Sequence, residues 1–204
     1  MSHRDVEDIL AERGIDVSYE TVRLWVLKFG KAYARRICKR RDPAFNVWHL
    51  DEVFVNIGGK QMYLWRAVDG EGAVLDVLVQ KRRNKRAALK LMRKLLKNQG
   101  VRPTKIVTDN LKSYEAAFRD LRLSHLHDTE HRLNNRAESS HVTIRRRERK
   151  MQRFKSQGSA QKFLSAFGPI YNPFNVQRHL ISRRTLRIFR NLTLAEWQIV
   201  TAAA

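Results

Sequence analysis

Residues 46–57, NVWHLDEVFVNI, decide how this chain is read. They are dense in β-branched and aromatic side chains, which suit a pleated surface, and they run into Gly58–Gly59, a hairpin-turn pair. Two stretches of the same character follow, 61–69 (QMYLWRAVD) and 73–80 (AVLDVLVQ), separated by the turn Gly70–Gly72. Connections this short leave no room for a crossover, so the three strands form an antiparallel meander.

Downstream the period changes. Residues 84–99 place Ala88, Leu91, Met92, Leu95 and Leu96 on one helical face, closed by Gly100. A short apolar strand, 105–108 (KIVT), ends at Asp109, and 113–121 suits a helix with Tyr114, Ala117, Phe118 and Leu121 on its apolar side. Another short strand is expected over 123–127, and a helix from about Arg136 past Glu138 to about Met151. Three antiparallel strands followed by helix, strand, helix, strand and helix is the order of an RNase H-like α/β fold, a mixed sheet flanked by helices. Such sheets place their chemistry at the carboxyl ends of strands.

Upstream, residues 2–29 read as two short helices capped by Ser2 and Ser18, with Asp5 completing a capping box and Gly14 ending the first. Val22, Trp25, Val26 and Phe29 share one face of the second. The pair suits a helix-turn-helix whose second helix enters the DNA major groove, or an ordinary helical hairpin. Lys31, Arg35, Arg36, Lys39, Arg40 and Arg41 followed by Pro43 read as a basic linker. The expected organisation is therefore a helix-turn-helix segment over 1–30, a linker over 31–45, a catalytic core over 46–155 and a basic helical region over 156–204.

Forty-one Lys and Arg against twenty Asp and Glu give a net charge of +21. Such a surplus repels itself unless a polyanion neutralises it; nucleic acid is the first candidate, with a membrane surface or a merely basic exterior as the alternatives. With Cys38 as the single cysteine, neither an intramolecular disulfide nor a cysteine-based zinc site can form. The acid-bearing N-terminus, MSHRDVEDIL, lacks a signal core, and no apolar run approaches a membrane span. The expectation is a soluble cytoplasmic protein.

In so basic a chain the acids are informative. None occurs between Val77 and Thr108, and Ser139–Arg190 holds thirteen Lys and Arg against the single acid Glu148. Asp51 nevertheless lies inside an apolar strand, and Asp109 ends another. A buried lone carboxylate is costly unless a divalent cation keeps it ionised, and oxygen-only ligands at strand ends suit Mg²⁺ or Mn²⁺. Two such ions can clamp the attacking and leaving oxygens of a phosphoryl displacement, which calls for about three carboxylates. Glu138, opening the last core helix, supplies a third. On the residues alone, Asp51 also reads as a strand acid paired to arginine, Asp109 as a turn residue, and Glu138 as a helix-dipole acid. Glu52 points to the opposite strand face from Asp51, Asp69 and Glu71 read as turn residues, and Asp76 is ambiguous. His49, His125, His127, His131 and His141 lie near the same blocks, as water-orienting or as packing residues.

The ordered blocks SHRDVEDILAERGIDVSYETVRLWV, WHLDEVFVNIGGKQMYLWRAVDGEG, VTDNLKSY and NNRAESSHVTIRRRERKMQRFKS, with FNVQRHLISRRTLR near the end, cover nearly the whole chain. They resemble the bacterial insertion-sequence transposases of the Asp-Asp-Glu class, in particular the sixth insertion-sequence family, which has an RNase H-like core. The resemblance implies a catalytic and metal-binding triad of Asp51, Asp109 and Glu138, two Mg²⁺ or Mn²⁺ ions, DNA transposition, and action as a homo-oligomer on paired element ends. It also implies a basic residue seven positions after the glutamate, here Arg145, which shares a helix face with Glu138 and contacts DNA phosphates with Arg146, Arg147, Arg149, Lys150 and Arg153. The pattern departs from the family in three places. A further helix usually precedes the block at Ser2, so the DNA-binding segment reads as shortened. Asn110 stands where lysine is common, and Pro169 and Pro173 interrupt a helix expected over 159–179. Two alternatives stay open on sequence: another RNase H-like nuclease, and a non-catalytic DNA-binding remnant or regulator.

Overall fold

The computed structural model describes residues 2–41, 45–129, 134–151, 153–176 and 180–202, with residues 135 and 136 described by backbone alone. Pro43, His131 and residues 177–179 of the expected last helix lie outside them.

The chain divides into two compact units, Asp42–Gly168 and Met1–Arg41 with Pro169–Ala204. The first is built on a five-stranded sheet of order β3-β2-β1-β4-β5. Its strands are β1 (Val47–Ile57), β2 (Lys60–Asp69), β3 (Val74–Gln80), β4 (Lys105–Thr108) and β5 (His127–Asp128). The first three pair antiparallel, as their short turns demand, whereas β4 runs parallel to β1 and β5 parallel to β4. Helix α3 (Lys85–Gln99) makes the first crossover and α4 (Lys112–Asp120) the second, and α5 (Asn135–Lys150) and α6 (Gln157–Tyr171) follow. This is the RNase H-like arrangement expected from the sequence. The expected strand over 123–127 is smaller than anticipated: a 3₁₀ turn occupies Ser124–Leu126, and two residues remain to pair.

Alternation along β1 and β2 sends side chains to two separate cores. On one face Trp48, Leu50, Trp65 and Ala67 pack with Leu91, Met92 and Leu95 of α3 and with Tyr114 and Phe118 of α4. On the other, Val55, Ile57, Met62 and Leu64 pack with Ile144 of α5 and with Ala160 and Leu164 of α6. Edge strand β3 is covered by α6, whose Gln161 accepts from the Val79 N–H at 2.8 Å and donates to the Val77 carbonyl at 3.1 Å. That side chain substitutes for a neighbouring strand and blocks pairing with another chain. Close approach depends on Gly168, where a Cβ would lie 2.9 Å from Val74 Cγ1.

Asp69 behaves as the turn residue expected, and the ambiguous Asp76 proves to be ion-paired. Asp69 Oδ1 accepts from the Glu71 and Ala73 amides at 3.1 and 2.9 Å, and Asp76 pairs with Lys94 at 2.6 Å.

The second unit contains α1 (His3–Ala11), α2 (Tyr19–Arg40) and α7 (Arg183–Ala202). The expected caps form: Ser2 and Asp5 make a reciprocal capping box, and Ser18 accepts from the Thr21 amide. The expected linker is corrected. The run assigned to a linker is helix as far as Arg40, because Ala34 and Ile37 bury one face of it while the basic residues occupy the others. Val22, Trp25, Val26 and Phe29 lie on one face of α2 as expected; Val22 is buried, and Trp25 and Val26 are 44% and 49% exposed. The expected boundary at 155 also differs from the observed unit, because Ala160 and Leu164 of α6 belong to the sheet's core. Helix α6 ends at Tyr171, with Pro169 in its last turn and Pro173 in the 3₁₀ turn Asn172–Phe174. No helix among the described residues is long and apolar enough to cross a membrane.

Candidate active site

The parallel pairing of β1 with β4 builds the site. The register sets Leu50 opposite Thr108, so the next residue on each chain, Asp51 and Asp109, emerges side by side where β4 stops. Thr108 is fully buried, and its hydroxyl lies 2.8 Å from His127 Nε2 and 2.6 Å from the Asp109 carbonyl oxygen. His127 thereby serves the strand end, and burial lowers its pKa.

Asp51 faces α5. Its Oδ1 accepts from the Glu52 amide at 2.9 Å, and its Oδ2 lies 3.0 Å from His141 Nε2. Asn134, just before α5, donates to the Leu50 carbonyl at 3.1 Å. These contacts pin the start of α5 to the middle of β1.

Glu52 is the residue that sequence reasoning set aside. It does leave the strand on the face opposite Asp51, but its side chain is 1% exposed and turns to the strand end. Asp51, Glu52 and Asp109 each bring an oxygen within 4.8 Å of the others, the one such acidic group among the described residues. Arg83, in the loop before α3, pairs with Glu52 and donates to Asp109 Oδ2 at 3.2 Å. Burial, followed by the charge of Asp109, pushes the Glu52 pKa up to about 7 against the pull of Arg83. The buried Tyr114 hydroxyl faces the same group; burial, then the charges of Glu52, Asp51 and Asp109, raise its pKa well above the ordinary value. Alternation argued against Glu52, and the usable signal was the Asp-Glu doublet beside an acid at the next strand's end.

Glu138 is exposed, in the first turn of α5, and is outside that close group. It lies three residues before His141, on the same helix face. Of the expected DNA-contacting residues, Arg145, Arg146, Arg149, Lys150 and Arg153 are exposed. Arg147 stacks its guanidinium over Phe167 at 5.3 Å. His125 is exposed and His49 is buried.

Crowded carboxylates with a buried member repel one another, and a hard divalent cation is the ligand that all-oxygen donors of this charge accept. The site therefore fits divalent metal.

The DDE-domain model of the IS240 transposases matches residues 46–176, which include the whole sheet. A Staphylococcus aureus transposase for the insertion sequence-like element IS431mec is 31% identical over 194 residues, covering 93% of this chain and 83% of that protein. The transposase for IS257 in transposon Tn4003 from the same species matches with the same identity and coverage. The chain belongs to the DDE transposase family. Members of that family are metal-dependent polynucleotidyl transferases of DNA transposition, and in this transposase Asp51, Asp109 and Glu138 lie within the matched range. Among solved structures, the HTLV-2 integrase catalytic core domain in complex with magnesium aligns with a TM-score of 0.40 and 22% identity, over 48% of this chain and 68% of that one.

Proposed function

We propose that this transposase cleaves the ends of an insertion sequence and joins them to target DNA, with Asp51, Asp109 and Glu138 holding two Mg²⁺ or Mn²⁺ ions. The observation that carries the reading is the β1–β4 register, which sets Asp51 beside Asp109 at a strand end. The Asp51–His141 contact supports Glu138 as the third ligand, because it turns the Glu138 face of α5 toward Asp51. When bound, two such cations offset the carboxylate charge and stabilise charge developing on the attacking and leaving oxygens.

The chain's own residues do the remainder. His141 fixes the orientation of Asp51, and Arg83 balances Glu52 and Asp109. Water attacks the phosphodiester at the element end; a new P–O bond forms as the P–O3′ bond breaks, and a 3′-hydroxyl is freed. That hydroxyl then attacks a phosphodiester of target DNA and releases a second 3′-hydroxyl as leaving group. Arg145, about two helical turns beyond Glu138, contacts terminal phosphates together with Arg146, Arg147, Arg149, Lys150 and Arg153. Helices α1 and α2 contribute to DNA binding, and a homo-oligomer holds paired ends.

The test is a cleavage and strand-transfer assay on DNA carrying the element's ends. Wild-type protein is expected to need Mg²⁺ or Mn²⁺, and Glu138→Gln is expected to lose roughly a thousandfold in cleavage while still binding DNA. Normal cleavage by Glu138→Gln removes it from the ligand set.

A further inference from the structure

The acid-free stretch between Val77 and Thr108 has a use beyond the carboxylate site. Nine of the seventeen residues from Lys81 to Lys97 are Lys or Arg. In α3 the buried Ala87, Ala88, Leu91, Met92 and Leu95 form one face. On the opposite face Arg86, Lys90, Arg93 and Lys97, spaced by four, three and four residues, fall within an arc of about 60° at the helical repeat. All four are exposed.

Their flanking neighbours are neutralised: Lys85 pairs with Asp120 at 2.8 Å and Lys94 with Asp76 at 2.6 Å. The four in the stripe have no acidic partner among the described residues. Like charges at i,i+3 and i,i+4 oppose a helix, and cations in its first turn have the wrong sign for its dipole. The first turn of α3 itself holds no acid. A bound polyanion reverses the sign of each of these terms.

At the N-terminal end of α3, a cleft of about 420 Å³ is lined by Lys81, Arg82, Asn84, Arg86, Lys90 and Gln157 among others. Arg83, between Arg82 and Asn84, reaches Glu52 and Asp109. The stripe therefore begins beside the carboxylates and runs about 16 Å away from them along α3. That length spans a major groove about 12 Å wide, phosphate to phosphate.

We propose that the Arg86–Lys90–Arg93–Lys97 stripe, with the cleft at its head, is a phosphate track that holds duplex DNA of any sequence beside the active site. This rests on the transposase reading above for its choice of DNA as the anion. The apolar face of α3 is buried in the sheet, and the long cationic side chains of its exposed face reach the DNA backbone. Phosphate contacts position a duplex without reading its sequence.

The test compares full-length protein with R86Q/K90Q/R93Q/K97Q, measuring affinity for random-sequence duplex across a salt series without divalent ions. K105Q/K112Q/R119Q/R122Q, with the same loss of charge on the same unit, is the control. Each lost phosphate contact lowers the magnitude of the log K–log[salt] slope by about 0.9, so the stripe variant is expected to lose about 3 to 4 and the control less than 1. R93Q/K97Q, the milder change, is expected to lose about half as much, and R86K/K90R/R93K/K97R to keep the wild-type slope. An unchanged slope in the stripe variant overturns the proposal, and so does an equal fall in the control, which would be an effect of net charge alone. Catalysis plays no part in this readout, so a failure of the carboxylate assignment shows separately, as wild-type protein without metal-dependent cleavage.

Discussion

The sheet unit and the helical unit hold themselves together in different ways. In Asp42–Gly168 both faces of the sheet are covered, and Trp48, Trp65, Tyr114, Phe118, Leu91 and Ile144 are all less than 2% exposed. In Met1–Arg41 with Pro169–Ala204, the buried apolar residues among those described are Val22, Ala34, Ile37 and Val200, while Trp25, Leu27 and Leu192 stay 44%, 57% and 62% exposed. Helices α2 and α7 are tied partly by polar contacts, Arg36 to the Val200 carbonyl at 2.9 Å and Arg40 to Glu196. Exposed ion pairs of this kind contribute little, because water screens both charges. The difference teaches where precision is needed. Phosphoryl transfer requires carboxylates held to a fraction of an ångström, and only locked neighbours can hold them so. A unit of long amphipathic helices with a small core has no such requirement built into it.

Four measurements break or sharpen this contrast. The largest effect is catalytic: Asp109→Asn is expected to cost roughly a thousandfold or more in metal-dependent cleavage, with its melting temperature close to wild type. A variant that cleaves normally would remove Asp109 from the chemistry. Next is packing. Leu91→Ala empties a fully buried position and is expected to destabilise by about 2–5 kcal/mol in denaturant titration. Leu27→Ala, in the helical unit, should stay within about 0.5 kcal/mol; equal costs would show that the two units do not differ as described. Third, Mg²⁺ at a hundred times its dissociation constant is expected to stabilise the sheet unit by about 2.7 kcal/mol. Thermal unfolding should show that shift in wild type and lose it in Asp51→Asn. The smallest is a cap: Ser18→Ala removes the acceptor for the Thr21 amide and should cost about 1 kcal/mol, seen as earlier loss of helical circular dichroism.

Much of the fold was legible because its signals are local. The three antiparallel strands, α3 with its closing Gly100, and β4 stand within one or two residues of where period and turn chemistry put them. Asp109 was legible as the residue ending KIVT, and Asp51 as an acid inside an apolar strand. Helix α2 was read too short because the basic run from Lys31 carries no helix breaker before Pro43, and charge alone does not end a helix. The last strand was overestimated because a 3₁₀ turn and a strand of two residues leave almost no periodicity to read.

By itself, then, the amino-acid sequence determined the elements, their order and the acids at strand ends, since repeats of 2 and 3.6 residues and turn residues act over a few positions. It also carried the blocks that identify the family. Tertiary structure alone decided which acids meet. The pairing of Leu50 with Thr108 joins residues far apart in the chain, and that register sets Asp51 beside Asp109. It also leaves room at the end of β4 for Glu52 to turn in from the other face, and for Arg83 to bridge it to Asp109. Strand alternation fixes the side from which a side chain departs; where the neighbouring strand stops, its reach decides the rest.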